Sequence, residues 1–144
     1  MSETAAAGVP ENRVVVGVDG SKCGYRALEY AAGDAQRSGS VLQVVTVYNV
    51  LPTYGSMAQP VLDQEAAEQT LTQAMRRVQV GWPDVDVKGE AVFGPAAQVL
   101  VDASKDARLL VVGTRGHSQV VGILLGSVSE YVVHHAHCTT TVVR

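Results

Sequence analysis

The sequence is poor in aromatic residues and in positive charge. Aromatic residues make up 5% of its 144 residues, with one Trp and one Phe. Proteins that stack nucleic-acid bases need several exposed rings, which excludes an RNA-recognition sheet or a groove for single-stranded DNA. The 11 Lys and Arg are outnumbered by 14 Asp and Glu, giving a net charge of −3 at pH 7. The clustered cations that a phosphate backbone requires are therefore missing.

Cysteines and long apolar runs are also few. Cys23 and Cys138 form neither a CxxC pair nor a metal-binding spacing, which indicates reduced thiols in a cytoplasmic protein. No apolar run approaches the roughly 18 residues that a membrane span needs. Residues 1–12 are small and polar, without the basic start and apolar stretch of a secretory signal. We interpret them as a disordered lead-in to a single domain over residues 13–144.

Apolar runs that are typical of strands alternate with helical patterns along that domain. The predicted strands are 14–18, 41–47, 85–93, 109–112 and 139–143. The predicted helices are one that ends at Gly39, and those over 61–78, 96–103 and 127–136. This alternation predicts an α/β fold with a five-stranded parallel sheet and helices on both faces. The expected strand order is 3-2-1-4-5, as in a Rossmann-like sheet.

Two loops at one edge of this sheet carry unusual residues. In an open parallel sheet, ligands bind beyond the carboxyl ends of the strands where the strand order reverses, here between strands 1 and 4. The loop after strand 1 contains Asp19, and the loop after strand 4 contains glycines in a G-x2-G-x9-G-S pattern. Those glycines are Gly113, Gly116 and Gly126, the last followed by Ser127. The topology and the composition therefore indicate the same place for a site.

The spacing suits a phosphate chain. Glycines let backbone N–H groups approach an anion closely, and we expect Ser127 to cap a helix whose first turn attracts negative charge. Asp19 is suited to a ribose hydroxyl or a phosphate-bound Mg²⁺, and Arg115 or His117 would add positive charge. The alternative is that the glycines and the serine are purely structural. The absence of GxxxxGK and GxGxxG sequences excludes ordinary P-loop and dinucleotide sites.

The chain resembles the universal stress protein family over residues 13–144. The resemblance rests on Val-Asp-Gly-Ser at 18–21, Leu-Val-Val-Gly-Thr-Arg-Gly-His at 110–117, Leu-Leu-Gly-Ser-Val-Ser at 124–129 and the final Val-Val-Arg. The ATP-binding branch of that family is marked by G-x2-G-x9-G-[S/T], which this sequence matches without a gap. The resemblance implies an adenine nucleotide alpha hydrolase-like fold and bound ATP with Mg²⁺.

The resemblance also implies a role for each matching residue. Asp19 would contact the ribose and support the metal through the phosphates, the backbone of Val47 would contact adenine, and Gly113 would meet the ribose. The expected phosphate-binding residues are Gly116, Gly126, Ser127, Val128 and Ser129. Members of the family usually form homodimers through their last strands, here Thr139 to Val143. A Pro often follows the Cys in the family, where this chain has Thr139, which leaves the dimer geometry open.

We therefore expect an ATP-binding regulator or sensor of stress responses rather than an enzyme. The sequence has no P-loop lysine and no evident general base, so slow ATP hydrolysis is the most that we expect. One alternative is an interaction module of the same fold with an empty nucleotide site. Another is a slow ATP-cleaving or adenylyl-transferring enzyme. His134, His135 and His137 suggest a metal cluster, but neighbouring helical residues point in different directions, which disfavours it.

Overall fold

The structure is a computed structural model that describes residues 12–49, 63–114 and 125–144. The strands are β1 (Arg13–Gly17), β2 (Val41–Tyr48), β3 (Val87–Phe93), β4 (Leu109–Gly113) and β5 (Thr139–Val143). The helices are α1 (Lys22–Ser38), α2 (Gln64–Gly81), α3 (Ala96–Ala103) and α4 (Ser127–His135). All strand pairs are parallel, in the order β3-β2-β1-β4-β5, which confirms the predicted sheet.

Two apolar cores cover the faces of the sheet. Side chains alternate along each strand, so the central strands β1 and β4 contribute buried residues to both sides. The first core joins the sheet to α1 and α2 and includes Val14, Val16, Leu28, Leu42, Val44 and Val78. The second core joins it to α3 and α4 and includes Val15, Val45, Leu100, Leu110 and Val132. The continuous apolar strands of the sequence are explained by this double cover.

Polar side chains and glycine fix the ends of the helices. The hydroxyl of Ser21 caps α1 by accepting from the Gly24 N–H, and Gly39 ends that helix in the left-handed conformation at φ +67°. Asp63 caps α2, so the helix begins at Gln64 rather than at 61, and it continues to Gly81. The predicted ends of α2 were therefore about three residues too early.

The start of β3 also differs from the prediction by two residues. The Val85 N–H donates to the Trp82 carbonyl in a turn at 3.0 Å. The backbone thus enters the ladder with β2 only after this turn, and the first paired residue of β3 is Val87. None of the helices described is long and apolar enough to span a membrane.

Candidate functional site

The carboxyl ends of β1 and β4 define a crevice at the point where the strand order reverses. The chain leaves β1 toward α1 on one face of the sheet and leaves β4 toward α4 on the other face. Loops that diverge from neighbouring strands in this way open a gap above the sheet edge. The strand order therefore reverses between β1 and β4 as predicted, and the ligand site expected there stays a prediction.

Asp19 forms the β1 side of this crevice and is held in place by Ser21. Its Oδ1 accepts from the Ser21 N–H at 2.9 Å and from the Ser21 hydroxyl at 2.5 Å. Gly20 makes the turn possible with φ +87°. A Cβ on Gly24 would lie 2.9 Å from the same Oδ1, so a larger residue would crowd the carboxylate. Sequence reasoning assigned no role to Gly24, and its position three residues after the helix cap was the available signal.

Gly113 ends β4 against the first turn of α1. A Cβ at this position would lie 2.8 Å from the Cys23 carbonyl carbon and 2.9 Å from both Cβ and O of Cys23. The glycine is thus required by the close approach of α1 to β4, a contact that no sequence pattern predicts. Its predicted contact with a ribose stays a prediction.

Thr114 connects β4 to the start of α4. Its buried carbonyl accepts from the Gly126 N–H at 2.6 Å and from the Ser129 hydroxyl at 2.8 Å, while its N–H donates to the Val143 carbonyl at 2.8 Å. Its Oγ1 lies 3.7 Å from the Cys23 sulfur. Thr114 therefore places the first turn of α4 directly beside the end of β4. Sequence reasoning missed this role, because the acceptor is a backbone carbonyl, which every residue type has.

The N-cap of α4 is Gly126, so the expectation that Ser127 caps the helix was wrong. Gly126 has the extended conformation of a cap, φ −76° and ψ 170°, and its carbonyl already accepts from the Glu130 N–H at 2.9 Å. Ser127 is consequently the first helical residue, and no side chain caps this helix terminus. The N–H groups of the first three helical residues, Ser127, Val128 and Ser129, have no acceptor within the helix, because the first intrahelical bond is donated by Glu130. They are suited to an anion.

Ser129 lies in the interior of the site. Its side chain is 2% exposed, and its hydroxyl faces the carbonyls of Thr114 and Gly126 at 2.8 and 3.0 Å. A hydroxyl has one proton, which these two carbonyls share. The predicted phosphate contact of Ser129 would therefore use its backbone N–H.

Val47 lies at the same edge of the sheet on β2. The last residue pair between β1 and β2 joins Gly17 to Val45, so Val47 extends two residues beyond it, level with Asp19. Its partly buried side chain packs into the core beside α3. The predicted residues that the structure brings to this edge are Asp19, Val47, Gly113, Gly126, Ser127, Val128 and Ser129. The predicted residues Arg115, Gly116 and His117 lie outside the described residues.

The histidines near the end of α4 take part in local contacts. The His135 ring centroid lies 4.2 Å from that of Tyr131 and 6.5 Å from that of His134. Across residues 12–49, 63–114 and 125–144, no group of three His, Cys, Asp or Glu side chains could hold a metal ion.

Comparison with known proteins gives a consistent result. The model of the universal stress protein family matches residues 11–144. Universal stress protein Rv2005c of Mycobacterium tuberculosis is 36% identical over 135 residues, which cover 91% of this chain and 45% of that protein. The chain thus spans about half the length of the curated relatives it matches.

Solved structures share the fold. Universal stress protein UspA from Lactobacillus plantarum superposes with a TM-score of 0.73 at 26% identity, covering 94% of this chain and 99% of that one. A universal stress protein in complex with cAMP gives a TM-score of 0.70 at 30% identity, covering 92% of this chain and 95% of that one. Sequence, strand order and fold agree, and the chain belongs to the universal stress protein family.

Proposed function

We propose that this chain binds an adenine nucleotide, ATP with Mg²⁺, in the crevice between β1 and β4. The observation that carries the proposal is the start of α4, which no side chain caps and which Thr114 holds beside the end of β4. A helix N-terminus alone attracts any anion. Here it lies at the topological switch point, with Asp19 in the loop that follows the neighbouring strand β1, and that combination favours a nucleotide.

The first turn of α4 would bind the phosphates. The N–H groups of Ser127, Val128 and Ser129 would donate to phosphate oxygens, and the dipole of the helix would add to the attraction. Gly126 presents no side chain at this point, so a phosphate can approach the backbone. Gly116 would complete the phosphate contacts.

The β1 and β2 side would bind the nucleoside. The Asp19 carboxylate, oriented by Ser21, would accept from a ribose hydroxyl, and the backbone of Val47 would contact adenine. Mg²⁺ would be held chiefly by phosphate oxygens, with Asp19 as an indirect support, and would supply charge neutralisation. The family member solved with cAMP supports adenine nucleotides as the ligand class.

We propose that binding, rather than turnover, is the biological event. The protein would act as a nucleotide-dependent regulator or sensor in stress responses, working in the cytoplasm as a homodimer joined through β5. The two cysteines, free in the structure, agree with a reducing compartment. Pairing of β5 with a second copy would cover an otherwise open sheet edge.

The test is the nucleotide content of the purified protein and its loss on a single substitution. Adenine nucleotide released by denaturation would be identified by chromatography. Gly126→Val should abolish binding because its side chain obstructs the phosphates, while its φ of −76° is one that Val adopts readily. The control is Gly81→Val, at a position with nothing within 4 Å of an added Cβ. Wild-type nucleotide content in folded Gly126→Val would show that the site is elsewhere.

A further inference from the structure

Strand β3 is an exposed edge of the sheet. It pairs with β2 on one side, and no other strand of the described residues pairs with it. Lys88, Gly89 and Glu90 at its centre are all exposed. An edge strand of seven residues offers a row of backbone groups that can pair with another chain.

The direction of these backbone groups follows from the bonds to β2. The Leu42 N–H donates to the Asp86 carbonyl, and the Gly94 N–H donates to the Tyr48 carbonyl. In a parallel ladder alternate residues bond to the same neighbour, so the even-numbered residues of β3 use their backbone groups toward β2. The N–H and C=O groups of Val87, Gly89 and Ala91 consequently point outward.

Charge selects how a second copy would fit this edge. In an antiparallel pair with Gly89 opposite Gly89 of the second copy, the outward-facing residues form the hydrogen-bonded pairs. Lys88 then lies opposite Glu90 of the second copy, and Glu90 opposite its Lys88, at the closer type of pair with Cα atoms about 4.5 Å apart. We propose that β3 is a self-association surface, through which two copies join their sheets edge to edge in this register.

The neighbouring registers are disfavoured by the same charges. A register with Glu90 opposite Glu90 of the second copy places two carboxylates against each other. A register with Lys88 opposite Lys88 of the second copy does the same with two ammonium groups. Like charges directly opposite destabilise a strand pair. A lone lysine on an edge strand commonly prevents pairing. Here Glu90 of the second copy lies opposite Lys88, so the lysine favours pairing in this register rather than preventing it.

The surroundings keep Glu90 and Lys88 on one open face. A groove of about 540 Å³ lies over the amino ends of β1, β2 and β3, and it is lined by residues of the sheet and Asn12. In it the Gln43 side-chain Nε2 donates to the Glu90 carboxylate at 2.6 Å, and the Arg13 guanidinium donates to the Gln43 side-chain Oε1 at 2.6 Å. Glu90 is thus oriented rather than free to swing. On the other face, α2 packs against Gly89 through Leu71 and Met75.

The surface is separate from the nucleotide crevice and from β5, which forms the opposite edge. The proposal can be tested with two charge-reversal variants, each measured alone and then in an equal mixture. Lys88→Glu and Glu90→Lys each place like charges opposite each other twice per pair, so each variant alone should associate about tenfold or more weakly than wild type. Mixed in equal amounts, the two variants restore opposite charges at every contact. The mixture should therefore recover the wild-type assembly mass in analytical ultracentrifugation.

The controls separate this effect from folding and from pairing of β5. Arg26→Glu and Glu29→Lys make the same charge changes at exposed positions on α1 and should leave the assembly mass unchanged. Because each partner in the mixture must be folded to restore pairing, recovery cannot come from unfolded chains. If the single variants match wild type, or if the mixture sediments like its separate components, β3 does not pair in this register and the proposal fails.

Discussion

The contact between Gly113 and the first turn of α1 gives the sharpest test of how the crevice is built. Gly113→Ala adds one methyl group at the carboxyl end of β4. The added Cβ would lie 2.8 to 2.9 Å from three atoms of Cys23, two of which belong to the helix backbone. These distances are well inside the normal 3.5 to 4.0 Å separation of carbon atoms. The helix and the strand must move apart.

The cost follows from the kind of atoms that must move. Overpacking of a well-packed interior typically costs 1–3 kcal/mol, and a backbone neighbour yields less readily than a side-chain tip. We expect Gly113→Ala to lower the free energy of unfolding by about 2 to 3 kcal/mol. For a domain of this size that corresponds to a fall in Tm of roughly 4–12 °C. Nucleotide binding should weaken too, because both neighbours of the crevice shift.

Urea denaturation of Gly113→Ala beside Gly33→Ala would measure this effect. Gly33 lies within α1, where an added Cβ meets a flexible arginine tip at 3.3 Å, so alanine there should stabilise the helix by about 0.5–1 kcal/mol. The two variants carry the same chemical change with opposite expected signs. A Gly113→Ala protein as stable as wild type would refute the proposed packing of α1 against β4.

Two further predictions concern Ser129 and Cys138. Ser129→Ala should cost about 1 kcal/mol in thermal or urea unfolding, because the Thr114 carbonyl keeps its bond from the Gly126 N–H; a loss above about 3 kcal/mol would contradict this. Burial raises the pKa of the Cys138 thiol above its ordinary value. The positive charge of Arg13 and a hydrogen bond with the Leu110 backbone lower this pKa, but by less than burial raises it. The unfolded thiol then loses its proton first, so stability should fall as pH rises from about 8.5 through the folded pKa. Cys138→Ser should flatten that part of the pH profile, and an unchanged profile would show that another group causes the fall.

The strand order and the location of the crevice could be predicted because they follow from periodicity. The apolar run at 109–112 is continuous since β4 is covered on both faces, and its neighbour β1 shows the same pattern. Alternating strands and helices then restrict the topology to few choices. The end of α1 at Gly39 could be predicted as well, because glycine adopts the left-handed conformation that commonly ends a helix.

The contacts within the crevice could not be predicted, because they join residues through backbone atoms. The Thr114 carbonyl that receives two hydrogen bonds would be present whatever residue stood there. Ser127 has the side chain of a typical cap, yet the cap is Gly126 and the helix begins one residue earlier than a Ser127 cap would allow. The close approach of Gly113 to Cys23 depends on where the loop after β1 places the first turn of α1, and local sequence patterns do not determine that position.

The central claim is that the crevice binds an adenine nucleotide, and calorimetric titration with ATP and Mg²⁺ tests it most directly. The protein should first be freed of any nucleotide that it retains through purification. We predict saturable binding with a dissociation constant on the order of micromolar, about −8 kcal/mol, that is lost in Gly126→Val and retained in Gly81→Val. Flat titrations of the folded wild-type protein with ATP, AMP and cyclic AMP would contradict the claim.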